Sequence, residues 1–373
     1  MMKPLAIYIH VPFCVRKCAY CDFASFAGCE SQFDAYFGAL NDEIDSWRDL
    51  LAEREISSVF FGGGTPSLPP AEHICRVLEH IRAISRFAPG AEITLEANPG
   101  TLAPEKLAAY RAAGVNRISI GVQSFDAGLL RELGRIHTPQ QAMEAVYMAC
   151  DAGFDNISID LMYALPGQSL RQWQETLDAA LQLPIRHISA YSLIVEEGTA
   201  MFDRVARSEA VIPDDGAVNE MQRYAIERFA QAGMPRYEIS NFARPGCESR
   251  HNITYWLGGD YLGLGSAAHS LVNGLRFCNP PALEDYLSGI RMVDKTPRTR
   301  EDCMEEMLML ATRMVRGLDL EKWARDFGER LEDTRAKEIR KLTDHGLIEI
   351  EGGFLRLTTK GLELQDAVVL ELM

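Results

Sequence analysis

Three cysteines fall within eight residues near the start of the chain, in Cys14-Val-Arg-Lys-Cys18-Ala-Tyr-Cys21. They come directly after Leu5-Ala6-Ile7-Tyr8-Ile9-His10, an apolar run that reads as a short buried strand. The thiolates therefore sit on a loop leaving the C-terminal end of a first strand. Three thiolates on so short a loop can hold three irons of a cubane iron–sulfur cluster. The fourth iron is then left for a small molecule, as an open coordination position is in catalytic metal sites. Zinc would ask for a fourth Cys or His in a matching second pair, and none follows. The other cysteines (Cys29, Cys75, Cys150, Cys247, Cys278 and Cys303) are scattered and read as small buried or half-buried thiols.

Further polar residues stand where strand-like runs end. Ser57–Phe61 leads into Gly62-Gly63-Gly64-Thr65-Pro66, where glycines let a ligand approach the backbone and its N–H groups. A tight strand-to-helix turn would use the same residues. The loop lacks the Gly-Lys-Ser/Thr of a phosphate-binding loop, and no Gly-x-Gly-x-x-Gly opens a helix as a dinucleotide site would need. Glu96, Gln123 and Asp160 end three more strands, and Arg135 can grip a carboxylate with two parallel bonds. Acids so placed can hold ribose hydroxyls or an amino group. Each residue alone could be a cap or a surface ion pair, but four on neighbouring strands favour a site. His251-Asn252-Ile253-Thr254-Tyr255-Trp256 sets an imidazole among aromatic rings. It could ligate haem iron or be a hydrogen-bonded structural histidine. His10, His137 and His269 rank below it as ligands.

Strand-like runs alternate with helical patterns through the first two thirds of the chain. The helices run over Phe33–Glu53, Ala71–Ile84, Pro104–Ala113, Pro139–Ala152, Ser169–Leu183 and Gly216–Ala232. Such alternation implies parallel strands joined by right-handed crossovers. About six units make a partial (β/α)6 barrel, short of the eight of a closed one, with its site at the C-terminal strand ends. We expect this barrel over residues 1–234. An extension bearing the His251 motif is expected over 235–297, with Asp294–Arg300 as a polar linker. The last part, 298–373, has helical runs followed by a hairpin turned at Gly352-Gly353, giving a helical, winged-helix-like domain.

Net charge −15 disfavours a nucleic-acid partner, because phosphate contact needs a basic surface. The winged domain's second helix, Asp333–His345, is itself mixed in charge, so a packing role is expected over a DNA-reading one. No apolar run approaches the length of a membrane-spanning helix, and Met1-Met2-Lys3-Pro4 carries no export-signal pattern. The expected setting is the cytoplasm, with reduced thiols.

Taken together, these motifs resemble the radical S-adenosylmethionine superfamily. The likeness is strongest to the family of oxygen-independent coproporphyrinogen III oxidase and its haem-chaperone branch. It rests on Cys14-x3-Cys18-x2-Cys21, Gly62–Pro66, Leu95-Glu96-Ala97-Asn98-Pro99, Gly121-Val122-Gln123-Ser124-Phe125, Leu133-Gly134-Arg135 and Asp160–Gly167. The resemblance implies that Cys14, Cys18 and Cys21 bind a 4Fe–4S cluster whose fourth iron takes S-adenosylmethionine. It further implies that Tyr8, Tyr20, Gly63, Gly64, Thr65, Glu96, Gln123, Arg135 and Asp160 contact that cofactor. The oxidase carries a fourth cysteine two residues after the third, where this chain has Phe23. His251-Asn252-x-x-Tyr255-Trp256 resembles the haem-binding signature of the chaperone branch. The expected function is therefore binding haem and delivering it to acceptor haemoproteins, with an electron donor for the cluster and peripheral membrane association through the acceptors. The alternative is oxidative decarboxylation of a porphyrinogen. A DNA-binding redox regulator is a third reading, disfavoured by the acidic charge.

Overall fold

A computed structural model describes residues 3–373. The strands are β1 (Pro4–Val11), β2 (Phe13–Cys14), β3 (Phe26–Ala27), β4 (Glu55–Gly63), β5 (Arg86–Ala97), β6 (Arg117–Gln123), β7 (Asn156–Tyr163), β8 (His187–Ser192), β9 (Asn241–Ala243), β10 (Tyr261–Leu264), β11 (His269–Val272), β12 (Leu275–Cys278), β13 (Val293–Pro297), β14 (Leu318–Asp319), β15 (Ile348–Glu351) and β16 (Phe354–Leu357). One sheet of eleven strands takes the order β13-β12-β11-β10-β1-β4-β5-β6-β7-β8-β9. Its parallel run starts at β10 and continues through β1, β4, β5, β6, β7 and β8. The crossover helices cover it because their apolar residues recur at helical spacing. In Ala71–Ile84 these are Ile74, Val77, Leu78 and Ile81, all buried. Pro104–Ala113, Pro139–Asp151 and Leu170–Leu181 follow the same plan. The last two start at capping boxes, Thr138 with Gln141 and Ser169 with Gln172, which satisfy otherwise orphaned N–H groups.

The segment expected as a separate extension, 235–297, is woven into this sheet instead. Its first strand, β9, lies antiparallel beside β8, and β10 lies parallel beside β1 at the other side. Leu262, Leu264, Phe277, Leu283 and Tyr286 share one core with Ile7, Val59, Ile118 and Ile159. The expected linker holds β13, which pairs with β12. The reason is visible in the Gly-rich run Asp260–His269. A side chain at Gly263 would collide with the His269 carbonyl, so glycine there lets β10 and β11 pass at close quarters.

Residues beyond this sheet have their own core, built on Leu308, Trp323, Leu331, Ile339, Leu342, Leu355 and Leu372. The helices Arg300–Ala311, Leu320–Phe327 and Ala336–Asp344 pack with the small sheet β14-β16-β15, a winged-helix arrangement. Backbone bonds such as Val315 N–H to Tyr237 O (3.0 Å) tie this part to the barrel. Among the described residues, no helix is long and apolar enough to cross a membrane.

Candidate functional site

The C-terminal ends of the parallel strands surround a cavity of about 400 Å³. The three cysteines line it, together with Tyr20, Gly63, Gly64, Thr65, Glu96, Gln123, Arg135 and Asp160. The cysteine loop leaves β1 and is pinned along its length. Ala19 donates its N–H to Leu133 O (3.1 Å), and its carbonyl accepts from Met201 N–H (2.7 Å). The loop returns through Phe26 N–H to Pro12 O (2.7 Å) and the short β2–β3 pair. His10, at the end of β1, donates through Nε2 to Ala24 O (2.8 Å) and accepts from the Tyr8 hydroxyl at Nδ1 (3.0 Å). Because the carbonyl can only accept, this pair of bonds fixes the ring's tautomer.

The sulfurs meet polar neighbours. Thr65 Oγ1 lies 3.6 Å from Cys14 Sγ. Arg135 Nη1 donates to Cys18 Sγ at 3.6 Å, while Nη2 donates to Asn98 Oδ1 and Gly121 O, both at 2.6 Å. Burial pushes the Cys21 thiol up, with further help from Cys18 and Cys14. Among the described residues, no three His, Cys, Asp or Glu donors converge as they would around one ion. A cubane does not need such convergence, since each cysteine binds a different iron, whereas a tetrahedral zinc does.

The deeper wall is acidic. Burial, and then the neighbouring Asp160, pushes Glu96 up to about 8. Burial likewise raises Asp160, opposed by a hydrogen bond from Ser119 Oγ at 3.1 Å. Two desolvated carboxylates facing a cavity fit a ligand that brings cationic groups and hydroxyls, as the ammonium, sulfonium and ribose of S-adenosylmethionine do. The glycine cradle fits as well. Gly63 has φ +106°, and a Cβ there would strike the His10 ring; one at Gly64 would strike Pro12 and Phe13 backbone. Gln123 takes φ +67° where β6 slips register against β7, and its Oε1 accepts from the Tyr191 hydroxyl at 3.4 Å. Strain of this kind in a non-glycine residue costs about 1–3 kcal/mol and concentrates at sites that need one fixed geometry.

Two expected residues have surroundings the motifs did not show. Tyr8 is stacked on Phe60, bonded to His10 and set beside Gly62 and Glu96, at the edge of the cavity wall. His251, expected as a haem ligand, is 1% exposed on the helix Arg250–Trp256. Its Nδ1 meets Ser58 Oγ at 2.8 Å and its Nε2 the Tyr255 hydroxyl at 2.7 Å, with Phe60 stacked at 5.0 Å. Neither nitrogen is free for iron, so the geometry is that of a structural histidine. The barrel repeats the device across its floor. His187 bonds Ser158 Oγ through Nδ1 (2.8 Å) and the Tyr237 hydroxyl through Nε2 (2.9 Å). Burial and the nearby Arg117 charge hold both rings neutral, His251 down to about 3. Asn252, Tyr255 and Trp256 are half-buried on the same helix, and Trp256 lies under the Arg313 guanidinium of the C-terminal part (4.7 Å). The helix start is fixed by Glu92, which accepts from Arg250 N–H (3.1 Å) and His251 N–H (3.0 Å).

Asn98 was quoted in a motif but given no role from sequence. It joins the two halves of the site, donating to Thr65 Oγ1 (2.8 Å) and accepting from Arg135. Tyr191, Met162 and Ile194 complete the wall.

Comparison with known proteins points to one family. The family model "Radical SAM superfamily" matches residues 8–180, and "HemN C-terminal domain" matches 299–364. The chain is 34% identical to Heme chaperone HemW of Bacillus subtilis (strain 168), covering 97% of each chain. It is 42% identical to Heme chaperone HemW of Escherichia coli (strain K12) over 73% of this chain and 71% of that one. The solved structure of coproporphyrinogen III oxidase (HemN) from Escherichia coli superposes with a TM-score of 0.86 at 25% identity, covering 99% of this chain and 90% of that one. The chain belongs to the HemW family within the radical SAM superfamily.

Proposed function

We propose that this protein is a haem chaperone that binds a 4Fe–4S cluster, S-adenosylmethionine and haem, and passes haem to acceptor haemoproteins. The observation that carries this reading is the likeness to HemW of B. subtilis over 97% of both chains. Cys14, Cys18 and Cys21 hold the cluster in this reading. Gly63, Gly64, Thr65, Glu96, Gln123, Arg135, Asp160 and Tyr20 receive S-adenosylmethionine, and Tyr8 supports them through His10. When bound, the cluster supplies one-electron chemistry next to that cofactor. Arg135 offsets negative charge at the Cys18 sulfur, and Glu96 with Asp160 orients a cationic ligand. In this reading an electron donor serves the cluster in the cytoplasm, and any contact with a membrane comes through the acceptors. His251 as the iron ligand is not carried forward, because both its nitrogens are engaged below the cavity floor.

The test is an anaerobic haem titration of the cluster-loaded protein, followed by transfer to an apo-haemoprotein. A Soret band on binding and its appearance in the acceptor are expected. No haem binding would sink the reading. Anaerobic turnover of coproporphyrinogen III would instead favour the oxidase alternative, to which the fold likeness also points.

A further inference from the structure

Two exposed apolar side chains stand at the rim of the cavity. Phe23 is 62% exposed and Ile194 is 67% exposed, both at its edge. They leave loops after β1 and β8, which stand apart in the sheet order, and the one cavity brings them together. Exposed apolar side chains on a cavity mouth forgo burial that each could have had elsewhere. Phe23 is also held in place, because Lys17 Nζ donates to its carbonyl at 3.2 Å. Arg16 and Lys17 add two cations to the same lining, which also holds the acids Asp22 and Glu196.

We propose that haem lies flat across this rim, with the ring against Phe23 and Ile194 and its propionates on Arg16 and Lys17. This inference rests on the haem-chaperone reading. The cavity of about 400 Å³ is at the small end of ligand pockets. With a cluster and a nucleoside-sized cofactor sharing a cavity of that size, a tetrapyrrole belongs at the mouth. The mixed charge of the rim suits a carrier that must release its cargo. The fourth-cysteine position of the oxidase then holds the aromatic contact of a binding platform.

The experiment is an anaerobic haem titration of cluster-loaded wild type, the Phe23→Ala/Ile194→Ser double variant and Arg16→Ala, with haem dimethyl ester as a second probe. Iron and sulfide are measured for every variant, and affinities are compared at equal cluster loading, because Phe23 lies two residues from Cys21. The double variant is expected to bind haem about tenfold to a hundredfold more weakly. Arg16→Ala weakens haem, but leaves the ester, whose propionates are blocked, at its wild-type affinity. Wild-type binding with an undiminished double variant overturns the rim site alone. Absence of haem binding by the wild type overturns the rim together with the chaperone reading.

Discussion

His251→Ala tests the role of the barrel floor. The substitution removes an imidazole with two hydroxyl partners in a fully buried setting and strands the Ser58 and Tyr255 hydroxyls. Each buried bond contributes about 1 kcal/mol, and each stranded partner costs about 1–3 kcal/mol more. Part of that is recovered if a water enters the space left by the ring. The expected loss is about 3–5 kcal/mol of barrel stability, among the large effects of single substitutions. His187→Ala should lose a similar amount, because Ser158 and Tyr237 hold it in the same way. Urea denaturation of the cluster-free variants, followed by circular dichroism, measures both, with the C-terminal part's transition treated separately. The reasoning fails if His251→Ala stays within about 1 kcal/mol of wild type while haem affinity collapses. That outcome would make His251 an iron ligand reached by opening the helix Arg250–Trp256.

Glu96 carries a pH signature. Its carboxyl is raised from 4.5 to about 8 in the cofactor-free fold, so the protonated form is the one the fold favours. The stability it contributes is complete below pH 4.5 and is lost as pH rises through 8, up to about 5 kcal/mol in all. Glu96→Gln should therefore match wild type in denaturation at pH 4.5 and exceed it at pH 8.5; equal curves at both pH values would refute the burial argument. Arg135→Lys keeps the charge but not the three-way grip on Cys18, Asn98 and Gly121. We expect S-adenosylmethionine affinity to fall about tenfold by calorimetry, and unchanged binding would remove Arg135 from the site. Gly63→Ala drives a methyl group into His10 at a positive φ, so iron and sulfide incorporation should drop; full incorporation would show the cradle tolerates movement. Cys18→Ala should abolish the visible absorption of the reconstituted cluster.

The sequence exposed the barrel because its strands are long enough to show alternation with helices. The helices Ala71–Ile84 and Pro104–Ala113 and the strand His187–Ser192 fall on their expected limits. The strands β10 to β13 did not stand out. Each has four or five residues, too few for a period, and only Asn273-Gly274 between β11 and β12 gives a turn signal like the Gly352-Gly353 that marks the equally short β15 and β16. Most of the cavity wall was legible, since those residues end strands of a parallel sheet. The surroundings of Tyr8 and His251 could not be read from motif alone, because a motif does not tell which layer of a barrel interior a side chain enters. Neighbours from distant strands decide that: Phe60 and Ser58 from β4 for His251, and His10 for Tyr8.

The position of β1 has a consequence for the order of assembly. It is the first strand made, yet it is flanked by β4 on one side and by β10 on the other, more than two hundred residues later in the chain. Until Tyr261–Leu264 emerges from the ribosome, one side of β1 presents unpaired backbone, a template for aggregation. The cysteine loop hangs from that same strand. Gly265 packs against the carbonyl of His10, which braces the loop, beside the Tyr36 hydroxyl. This part of the loop's frame is therefore complete only after about 70% of the polypeptide has been synthesised. A nascent chain stopped before β10 would hold all three cysteines and still lack this part of the frame that aims them.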